Sequence, residues 1–155
     1  MAKSSPEQIK RRALASERHK ARHFAMQGLY QWQLNATQAN EISAQFNVDF
    51  NMKGTDQDYF LELLKGVQYS VKELDSILLQ FTEARQLDDC DPVTHALLRI
   101  ATYELKNRVD VPYKVVINEA VNLAKKFGPE ESHKFINGVL DQVAKQLRKV
   151  ELAAQ

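Results

Sequence analysis

Apolar residues recur at helical spacing along the chain, and the clearest example is the stretch from Val111 to Asp141. Its first apolar stripe advances by four, three and four positions: Val116, Ala120, Leu123 and Phe127. Pro112 suits the first position of this helix, and Gly128-Pro129 predicts its end, with Gly128 in the left-handed conformation. A second stripe follows at Ile136, Leu140, Val143 and Leu147. The stretch therefore predicts two helices joined by a short turn.

Capping signals predict where other helices begin. The segment from Ser5 to Gln8 has the form of a capping box. Thr55 and Ser70 each begin a further capping signal before apolar residues, which predicts two separate core helices. A short helix is predicted around Ile42 and Phe46, where the apolar pattern is brief.

The segment that begins at Asp91-Pro92 is the predicted central helix. Asp91 suits the N-cap, Pro92 suits the first helical position, and the helix is predicted to run through Leu105. Apolar residues cover most of its circumference: Ala96, Leu97, Leu98, Ile100, Ala101 and Leu105. Glu104 projects with Leu97 and Ala101, and a buried carboxylate there needs hydrogen-bond donors.

Two residues in the following helices are not explained by packing alone. Glu119 lies beside its apolar stripe and needs a partner, and Gly138 inside a helix indicates a close backbone approach or a contact surface. We interpret both as structural. A general acid/base couple of Glu104 and Glu119 is the weaker alternative, since no nucleophile, phosphate-binding loop or metal cluster accompanies them.

The segment from Arg18 to Trp32 divides into two faces at helical spacing. One face is small and apolar: Ala21, Ala25, Gly28, Leu29 and Trp32. The opposite face is predicted to hold His19, His23, Met26 and Tyr30, with Arg18 and Arg22 beside it. Cations suit phosphates and rings suit bases, so this face indicates binding of RNA or DNA. A solvated outer face is the alternative.

The net charge of +1 is unevenly distributed along the chain. Residues 1–35 hold seven Lys/Arg against two acids, residues 36–108 hold seven against twelve, and residues 109–155 hold seven against six. The basic N-terminal part favours an anionic partner, most simply a nucleic acid.

Length and composition indicate one globular domain of 155 residues, 44% of them hydrophobic. No apolar run approaches the roughly 18 residues of a membrane span, and the N-terminus is polar and charged, so a cytosolic protein without a signal peptide is expected. The single cysteine, Cys90, offers neither a disulfide nor a zinc spacing. Asp88, Asp89 and Asp91 lack the other residues of a calcium loop, so no metal is expected.

Several segments together carry a family signature. Those near the N-terminus are Arg18-x-x-Ala21-Arg22 and Ala25-x-Gln27-x-Leu29-Tyr30-x-Trp32. Those in the second half are Leu98-Arg99-Ile100-Ala101-x-Tyr103-Glu104-Leu105, Asp110-Val111-Pro112, Ile117-Asn118-Glu119-Ala120-Val121-x-Leu123-Ala124-Lys125-x-Phe127-Gly128 and Ser132-x-Lys134-Phe135-Ile136-Asn137-Gly138-Val139-Leu140. Over about residues 18–147, the chain resembles the bacterial transcription antitermination factor NusB family.

The resemblance implies an all-α fold of about seven helices in two packed helical subdomains. Residues 1–17 would be a basic extension, either mobile or adding phosphate affinity, residues 18–148 an RNA-binding domain, and residues 149–155 a C-terminal tail. Proteins of this family bind the boxA element of ribosomal RNA transcripts together with the ribosomal protein NusE. The pair joins the antitermination complex on RNA polymerase. No catalysed reaction and no cofactor are implied.

The resemblance also implies roles for particular residues. The arginine-rich motif of the family maps onto four positions expected to contact phosphates: Arg18, His19, Lys20 and Arg22. Tyr30 matches a position at the RNA and partner surface, and Lys134 and Phe135 match positions near the RNA, where we expect Phe135 to stack on a base. Auxiliary phosphate contacts are expected from the basic extension: Lys10, Arg11 and Arg12.

Three positions depart from the family pattern. His19 stands where an arginine is expected, which predicts a weaker phosphate contact that depends on pH near neutrality. Thr94 and His95 occupy partner-binding positions where relatives often carry an acid and a base, so the resemblance does not give their exact contacts with NusE.

Two other functions stay open as alternatives. The first is a helical interaction module whose basic face is only solvated. The second is the RNA-binding part of a ribosomal RNA methyltransferase, which we disfavour because only eight residues follow residue 147. The sequence also leaves open whether the free protein is a monomer or a homodimer.

Overall fold

The protein is all-α, in agreement with the sequence-based prediction. A computed structural model describes residues 3–154, and this part of the chain contains eight helices and no strand, where about seven helices were expected. The helices are α1 (Pro6–Asn35), α2 (Ala39–Asp49), α3 (Gln57–Leu78), α4 (Ala84–Asp89), α5 (Pro92–Asn107), α6 (Tyr113–Phe127), α7 (Ser132–Leu147) and α8 (Lys149–Ala153).

The chain divides into two compact units, as the resemblance implied. The first unit extends to Lys65 and the second begins at Gly66, so the division falls within α3. The first unit therefore consists of α1, α2 and the beginning of α3, and the second holds the rest of α3 and α4 to α8.

The long helix α1 begins at the predicted capping box. Ser5 Oγ accepts a hydrogen bond from the backbone N–H of Gln8, and Gln8 Oε1 accepts one from the backbone N–H of Ser5. Residues 6–16 are all exposed, whereas Ala21, Ala25 and Leu29 are fully buried. The backbone is helical through residues 17 and 18, so the expected boundary between extension and domain does not coincide with a break in secondary structure.

Gly28 lets α1 lie close to its neighbours in the first unit. A Cβ atom on Gly28 would stand 2.8 Å from Ile42 Cγ2 and 2.8 Å from Leu64 Cδ2. Ile42 and Leu64 are both fully buried, so neither side chain has free space into which to retreat. A residue larger than glycine is therefore expected to force these helices apart.

The predicted pair of helices around Ser70 is a single helix. α3 runs without interruption from Gln57 to Leu78, and Val67, Leu74 and Leu78 are fully buried along it. The apolar stripe continues through Ser70, so packing overrides the local capping signal. Asp56 rather than Thr55 caps this helix, because Asp56 Oδ1 accepts a hydrogen bond of 3.0 Å from the backbone N–H of Tyr59.

The central position of α5 in the second unit is confirmed. Asp91 Oδ2 caps the helix by accepting hydrogen bonds from the backbone N–H groups of Val93 (2.9 Å) and Thr94 (3.3 Å), and Pro92 is its first residue. α5 packs against both α6 and α7. The apolar residues that cover most of the circumference of α5 are all buried: Ala96, Leu97, Leu98, Ile100, Ala101 and Leu105.

The predicted helix pair α6–α7 is present, with three corrections. Pro112 is the N-cap of α6 rather than its first residue, and Phe127 at the end of the apolar stripe is 46% exposed. Gly128 is extended, with φ −89°, and not left-handed. A Cβ on Gly128 would stand 2.7 Å from Ser132 Oγ and 2.9 Å from the carbonyl oxygen of Ala124, so close packing explains this glycine.

Two glycines inside helices of the second unit differ in their surroundings. A Cβ on Gly66 in α3 would overlap the ring of Tyr103 in α5, so this glycine allows a close approach that the sequence did not reveal. A Cβ on Gly138 would meet no atom within 4 Å in the described part of the chain. The close-approach interpretation of Gly138 is therefore wrong, and a contact surface stays as the prediction.

Arg148 binds the end of the central helix, a role that no pattern in the sequence indicated. Its side chain is buried, and it donates hydrogen bonds to four backbone carbonyl groups, those of Glu104, Leu105, Arg108 and Val111. Arg148 also forms an ion pair with Glu151, which in turn accepts a hydrogen bond of 2.9 Å from the backbone N–H of Tyr113. The expected C-terminal tail is thus anchored up to Glu151.

Candidate nucleic-acid interface

The exposed N-terminal turns of α1 carry the basic cluster of Lys10, Arg11 and Arg12. Arg11 forms an ion pair of 2.9 Å with Glu7, and Arg12 donates a hydrogen bond of 2.8 Å to Ser4 Oγ. Both interactions lie at the surface, where they are weak and are readily exchanged for contacts with another anion. These three residues therefore present cations to solvent from successive positions of one helix.

The two arginines of the predicted arginine-rich motif lie over Tyr59. The guanidinium carbon of Arg18 is 4.7 Å from the centroid of the Tyr59 ring, and that of Arg22 is 5.5 Å away. Arg18 keeps a fifth of its side-chain surface exposed, whereas Arg22 is only 4% exposed. A direct phosphate contact stays a prediction for both residues, and Arg22 has little surface for one in this conformation.

Asp56 fixes this group of side chains to the start of α3. Its Oδ2 lies 3.9 Å from Arg18 Nε, and its backbone N–H donates a hydrogen bond of 3.1 Å to the carbonyl oxygen of Glu17. The same carboxylate caps α3 through the backbone N–H of Tyr59. Asp56 and Tyr59 thus hold the arginine-rich part of α1 in place, and the sequence pattern of α1 alone does not identify either of them.

Lys20 is the most accessible cation of the predicted motif. Lys20 is exposed, and its ammonium group donates a hydrogen bond of 3.5 Å to the carbonyl oxygen of Lys53. Lys53 is also exposed. His19 is half-buried beside it. Lys20 therefore offers a phosphate more surface than Arg18 or Arg22.

The predicted outer face of α1 is narrower than expected. Tyr30 is 41% exposed, but Met26 is almost completely buried and His23 is half-buried. The buried surface of α1 therefore extends around to Met26, because the helix packs into its unit on more than one side. Tyr30 remains available for the predicted RNA or partner contact.

The predicted RNA-binding residues of the second unit lie in the first turn of α7. Lys134 is exposed and pairs with Glu131 at 2.6 Å, and Phe135 is half-buried. Glu131 precedes the helix in the left-handed conformation, with φ 71°. A phosphate at this position would have to compete with Glu131 for the Lys134 ammonium group.

Thr94 and His95 differ in accessibility. Thr94 is buried, so it offers a partner almost no surface, whereas His95 is half-buried at the start of α5. His95 Nε2 lies 3.1 Å from Asp75 Oδ1, and Arg99 binds both oxygens of Asp75, with Nε–Oδ1 of 2.9 Å and a second contact of 2.7 Å. This group joins α3 to α5 within the second unit.

Asp75 is ionised more readily than an ordinary aspartate. Burial by itself raises the pKa of Asp75, but the hydrogen bonds and positive charges of Arg99 and His95 outweigh it and lower this pKa to about 2. The carboxylate is consequently charged throughout the physiological range and retains both partners.

The two glutamates considered as an acid/base couple differ in burial, and the single cysteine is a poor nucleophile. Glu104 is buried in α5, and Glu119 is half-buried in α6. Burial raises the pKa of the Cys90 thiol to about 11, so this cysteine is protonated at neutral pH and is a poor nucleophile.

Residues 3–154 contain neither a cluster of metal-ligating side chains nor a helix suited to crossing a membrane. Among them we find no group of three or more His, Cys, Asp or Glu side chains with the geometry to bind a metal ion. Asp91 of the acidic run is used as a helix cap, and Asp89 pairs with Arg85 at 3.6 Å. None of the helices in this range has the length and apolar character that a membrane crossing requires.

Comparison with known proteins gives concordant results. The model of the NusB family matches residues 19–145. The transcription antitermination protein NusB of Teredinibacter turnerae is 58% identical over 90% of this chain and 95% of its own length, and that of Saccharophagus degradans is 54% identical over 90% and 93%.

Two solved structures share the fold. T. maritima NusB superposes with a TM-score of 0.72 and 27% identity, covering 82% of this chain and 89% of that one. A structure of antitermination factors NusB and NusE in complex with double-stranded RNA gives a TM-score of 0.69 and 26% identity, covering 83% and 96%.

Proposed function

Because this chain belongs to the NusB family, we propose that it is a non-catalytic, cytoplasmic transcription antitermination factor that binds boxA RNA together with NusE and joins the antitermination complex on RNA polymerase. The observation that carries the proposal is the set of exposed cations on α1: Lys10, Arg11, Arg12 and Lys20. A NusB–NusE–RNA complex of the same fold supports RNA and NusE as partners.

Different residues of the motif contribute in different ways. Lys20 contacts phosphate directly, since its residue is exposed, and Lys10, Arg11 and Arg12 add phosphate contacts further along the helix. Arg18 contacts phosphate through the exposed part of its side chain. Arg22 lies over the Tyr59 ring and contacts phosphate only through the small surface that it keeps. His19, which is half-buried beside Lys20, adds a further contact.

The remaining assignments concern the second unit and the protein partner. Lys134 and Phe135 contact the RNA by a charge and by base stacking, respectively. Tyr30 and His95 contact NusE, whereas Thr94 acts through packing because it is buried. Each unit thus contributes residues to RNA binding.

The proposal is tested by fluorescence anisotropy of a short labelled boxA-type RNA and a scrambled RNA of equal length, at several salt concentrations, with and without NusE. We expect tighter binding of the boxA RNA, enhancement by NusE, and a fall of roughly 0.7 log units per phosphate contact for each decade of salt. Equal, weak binding of both RNAs that NusE does not change would leave an interaction module without an RNA role.

A pair of lysine variants locates the contact on α1. Lys20→Ala is expected to weaken binding of both RNAs and to reduce the salt slope by roughly 0.7, because one phosphate contact is lost. Lys72→Ala, which removes an exposed lysine of α3 that has no proposed RNA role, is the matched control and should change neither quantity. Equal effects of the two variants would contradict the assignment of Lys20.

A further inference from the structure

A cluster of aromatic rings lies beside the arginine-rich part of α1, entirely within the first unit. Phe46 and Phe60 are buried and stacked, with ring centroids 6.0 Å apart. Phe50 packs against Phe46 at 5.0 Å with an angle of 72° between the rings, and against Phe24 at 5.8 Å. His23 stacks on Phe24 at 5.2 Å. The cluster extends from the core to the surface, where Phe50 is 42% exposed.

Two lysines lie near this cluster, one on α1 and one in the turn after α2. Lys20 precedes Phe24 by one turn of α1, so the two side chains share a face of the helix. The Lys20 ammonium group reaches the carbonyl oxygen of Lys53, three residues after Phe50 in the turn between α2 and α3. The segment from Phe50 to Thr55 contains Lys53, with the exposed Asp49 directly before it and Asp56 directly after it. Asp56 is engaged by Arg18 and by the start of α3.

We propose that Phe50 is a stacking platform for one unpaired base of bound RNA, with Lys20 and Lys53 contacting the adjoining phosphates. This inference rests on the proposed function and adds a base-binding position to it. An aromatic ring with cations close by is an arrangement by which proteins bind single-stranded nucleic acid, since the ring stacks on the base and the cations contact the backbone.

The packing of Phe50 favours this role energetically. Phe46 and Phe24 contact the ring from two directions, so its orientation is fixed before RNA arrives. A base that stacks on a fixed ring costs little additional side-chain entropy. Because every base has a π-face, the platform adds affinity with little dependence on the identity of the base.

The two lysines near Phe50 favour RNA over a protein partner as the occupant. An apolar protein surface would bury the exposed fraction of Phe50, but it would also bring the two lysines close to apolar atoms and remove their hydration. A nucleotide can stack its base on the ring and place its phosphates against the ammonium groups at the same time. We therefore expect RNA and not a protein to bind at Phe50, and the experiment below can distinguish the two.

The test measures the affinity of the labelled boxA-type RNA for Phe50→Ala and Phe50→Leu. We expect both variants to bind the RNA at least about five-fold more weakly, because Leu preserves apolar packing but removes the ring. The salt slope should stay unchanged, since no charge is lost. Val48→Ala, which shortens an 85% exposed side chain of α2 outside the cluster, is the matched control and should bind like the unchanged protein.

A third variant reports stacking directly. Phe50→Trp should retain the affinity for the RNA. Its tryptophan emission should be quenched when RNA binds, and the unchanged protein, in which Trp32 is the single tryptophan, supplies the reference. If the unchanged protein binds boxA RNA but Phe50→Leu binds equally well, or if the emission of Phe50→Trp does not respond to bound RNA, the platform is refuted and the proposed function stands. Weakened binding of NusE with unchanged RNA affinity would likewise refute it. If the unchanged protein binds no RNA, both proposals fail.

Discussion

The carboxylate of Asp75 shows how a single residue can connect two helices in the second unit. It accepts hydrogen bonds from Arg99 on α5 through both oxygens and lies within hydrogen-bonding distance of His95. Arg99 is itself almost completely buried, so removal of Asp75 leaves a buried positive charge without its counter-ion. Much of the stability of this contact therefore depends on the charge of the aspartate.

The pKa of Asp75 leads to a prediction about acid stability. The folded-state pKa of about 2 lies below the usual unfolded value, so the carboxylate contributes stability above about pH 4, and this stability is lost as the pH falls towards 2. Asp75→Asn is expected to lower the free energy of unfolding by about 2 kcal/mol at pH 7 and by less at pH 3. Urea unfolding at the two pH values measures both differences.

A control separates this contact from a general effect of lost charge. Asp88→Asn removes an exposed carboxylate of α4 and should change the free energy of unfolding by less than about 0.5 kcal/mol at either pH. A loss of stability in Asp75→Asn that is the same at pH 7 and pH 3 would show that the lowered pKa is not the source of the effect.

At the scale of residues, the sequence predicted which side chains of α1 are charged but not which are accessible. Helical spacing placed Arg18 and Arg22 together, yet their burial depends on Tyr59, which lies far along the chain. A contact over that separation leaves no periodic pattern in the sequence. For the same reason the sequence did not indicate Phe50, whose ring is packed by Phe24 on another helix.

The glycines of α3 and α7 allow a prediction at the scale of elements. Alanine stabilises a helix interior by about 1 kcal/mol relative to glycine, so an open site should gain from the substitution and a crowded site should lose. Gly138→Ala is expected to raise the free energy of unfolding by up to about 1 kcal/mol. Gly66→Ala is expected to lower it by about 2 kcal/mol, because the methyl group would overlap Tyr103. Urea unfolding of both variants gives the comparison.

A double variant identifies the cause of the loss at Gly66. Tyr103→Leu removes the ring, so adding Gly66→Ala to it should cost much less than adding it to the unchanged protein. If the cost is the same in both backgrounds, the close approach of α3 and α5 is not the reason for glycine at this position.

The beginnings of helices were predictable where a cap and an apolar pattern agree. Ser5 and Asp91 make the predicted hydrogen bonds, because capping depends on residues only two or three positions apart. Ser70 has the same local form, but the apolar stripe of α3 continues past it and tertiary packing prevails. The short helix α4 was missed, since six residues with one buried side chain, Leu87, give no detectable period.

At the scale of the whole molecule, the sequence pattern predicted the all-α class and the family resemblance implied two helical units, but neither indicated the role of the C-terminal residues. Arg148 and Glu151 lie beyond the last periodic helix, and their partners are backbone groups, which carry no side-chain signature. The burial of Arg148 can be recognised only when the ends of α5 and α7 are seen together. A segment that resembles a tail thus closes the second unit.

Truncation should therefore show a sharp dependence on position. A chain that ends at Leu147 loses Arg148 and leaves four carbonyl groups without their donors, so we expect the free energy of unfolding to fall by about 3 kcal/mol or more. A chain that ends at Ala153 keeps Arg148 and Glu151 and should unfold like the full chain. Thermal and urea unfolding of the two truncated chains provide the measurement.

A single substitution at Arg148 separates the loss of its hydrogen bonds from the effect of shortening the chain. Arg148→Met retains much of the side-chain volume but removes every donor, and it should reproduce most of the loss seen in the shorter chain. Stability equal to that of the full chain would mean that the bonds from Arg148 are replaced by water at no cost.

The exposed beginning of α1 has a consequence for the speed of encounter. At 1.5 Å per residue, residues 6–16 extend for roughly 16 Å, about two Debye lengths at physiological salt. An approaching polyanion thus meets the field of Lys10, Arg11 and Arg12 before it reaches Lys20, and many more collisions become productive. The benefit appears as faster association, while the residence time of the complex is set by the contacts that form afterwards.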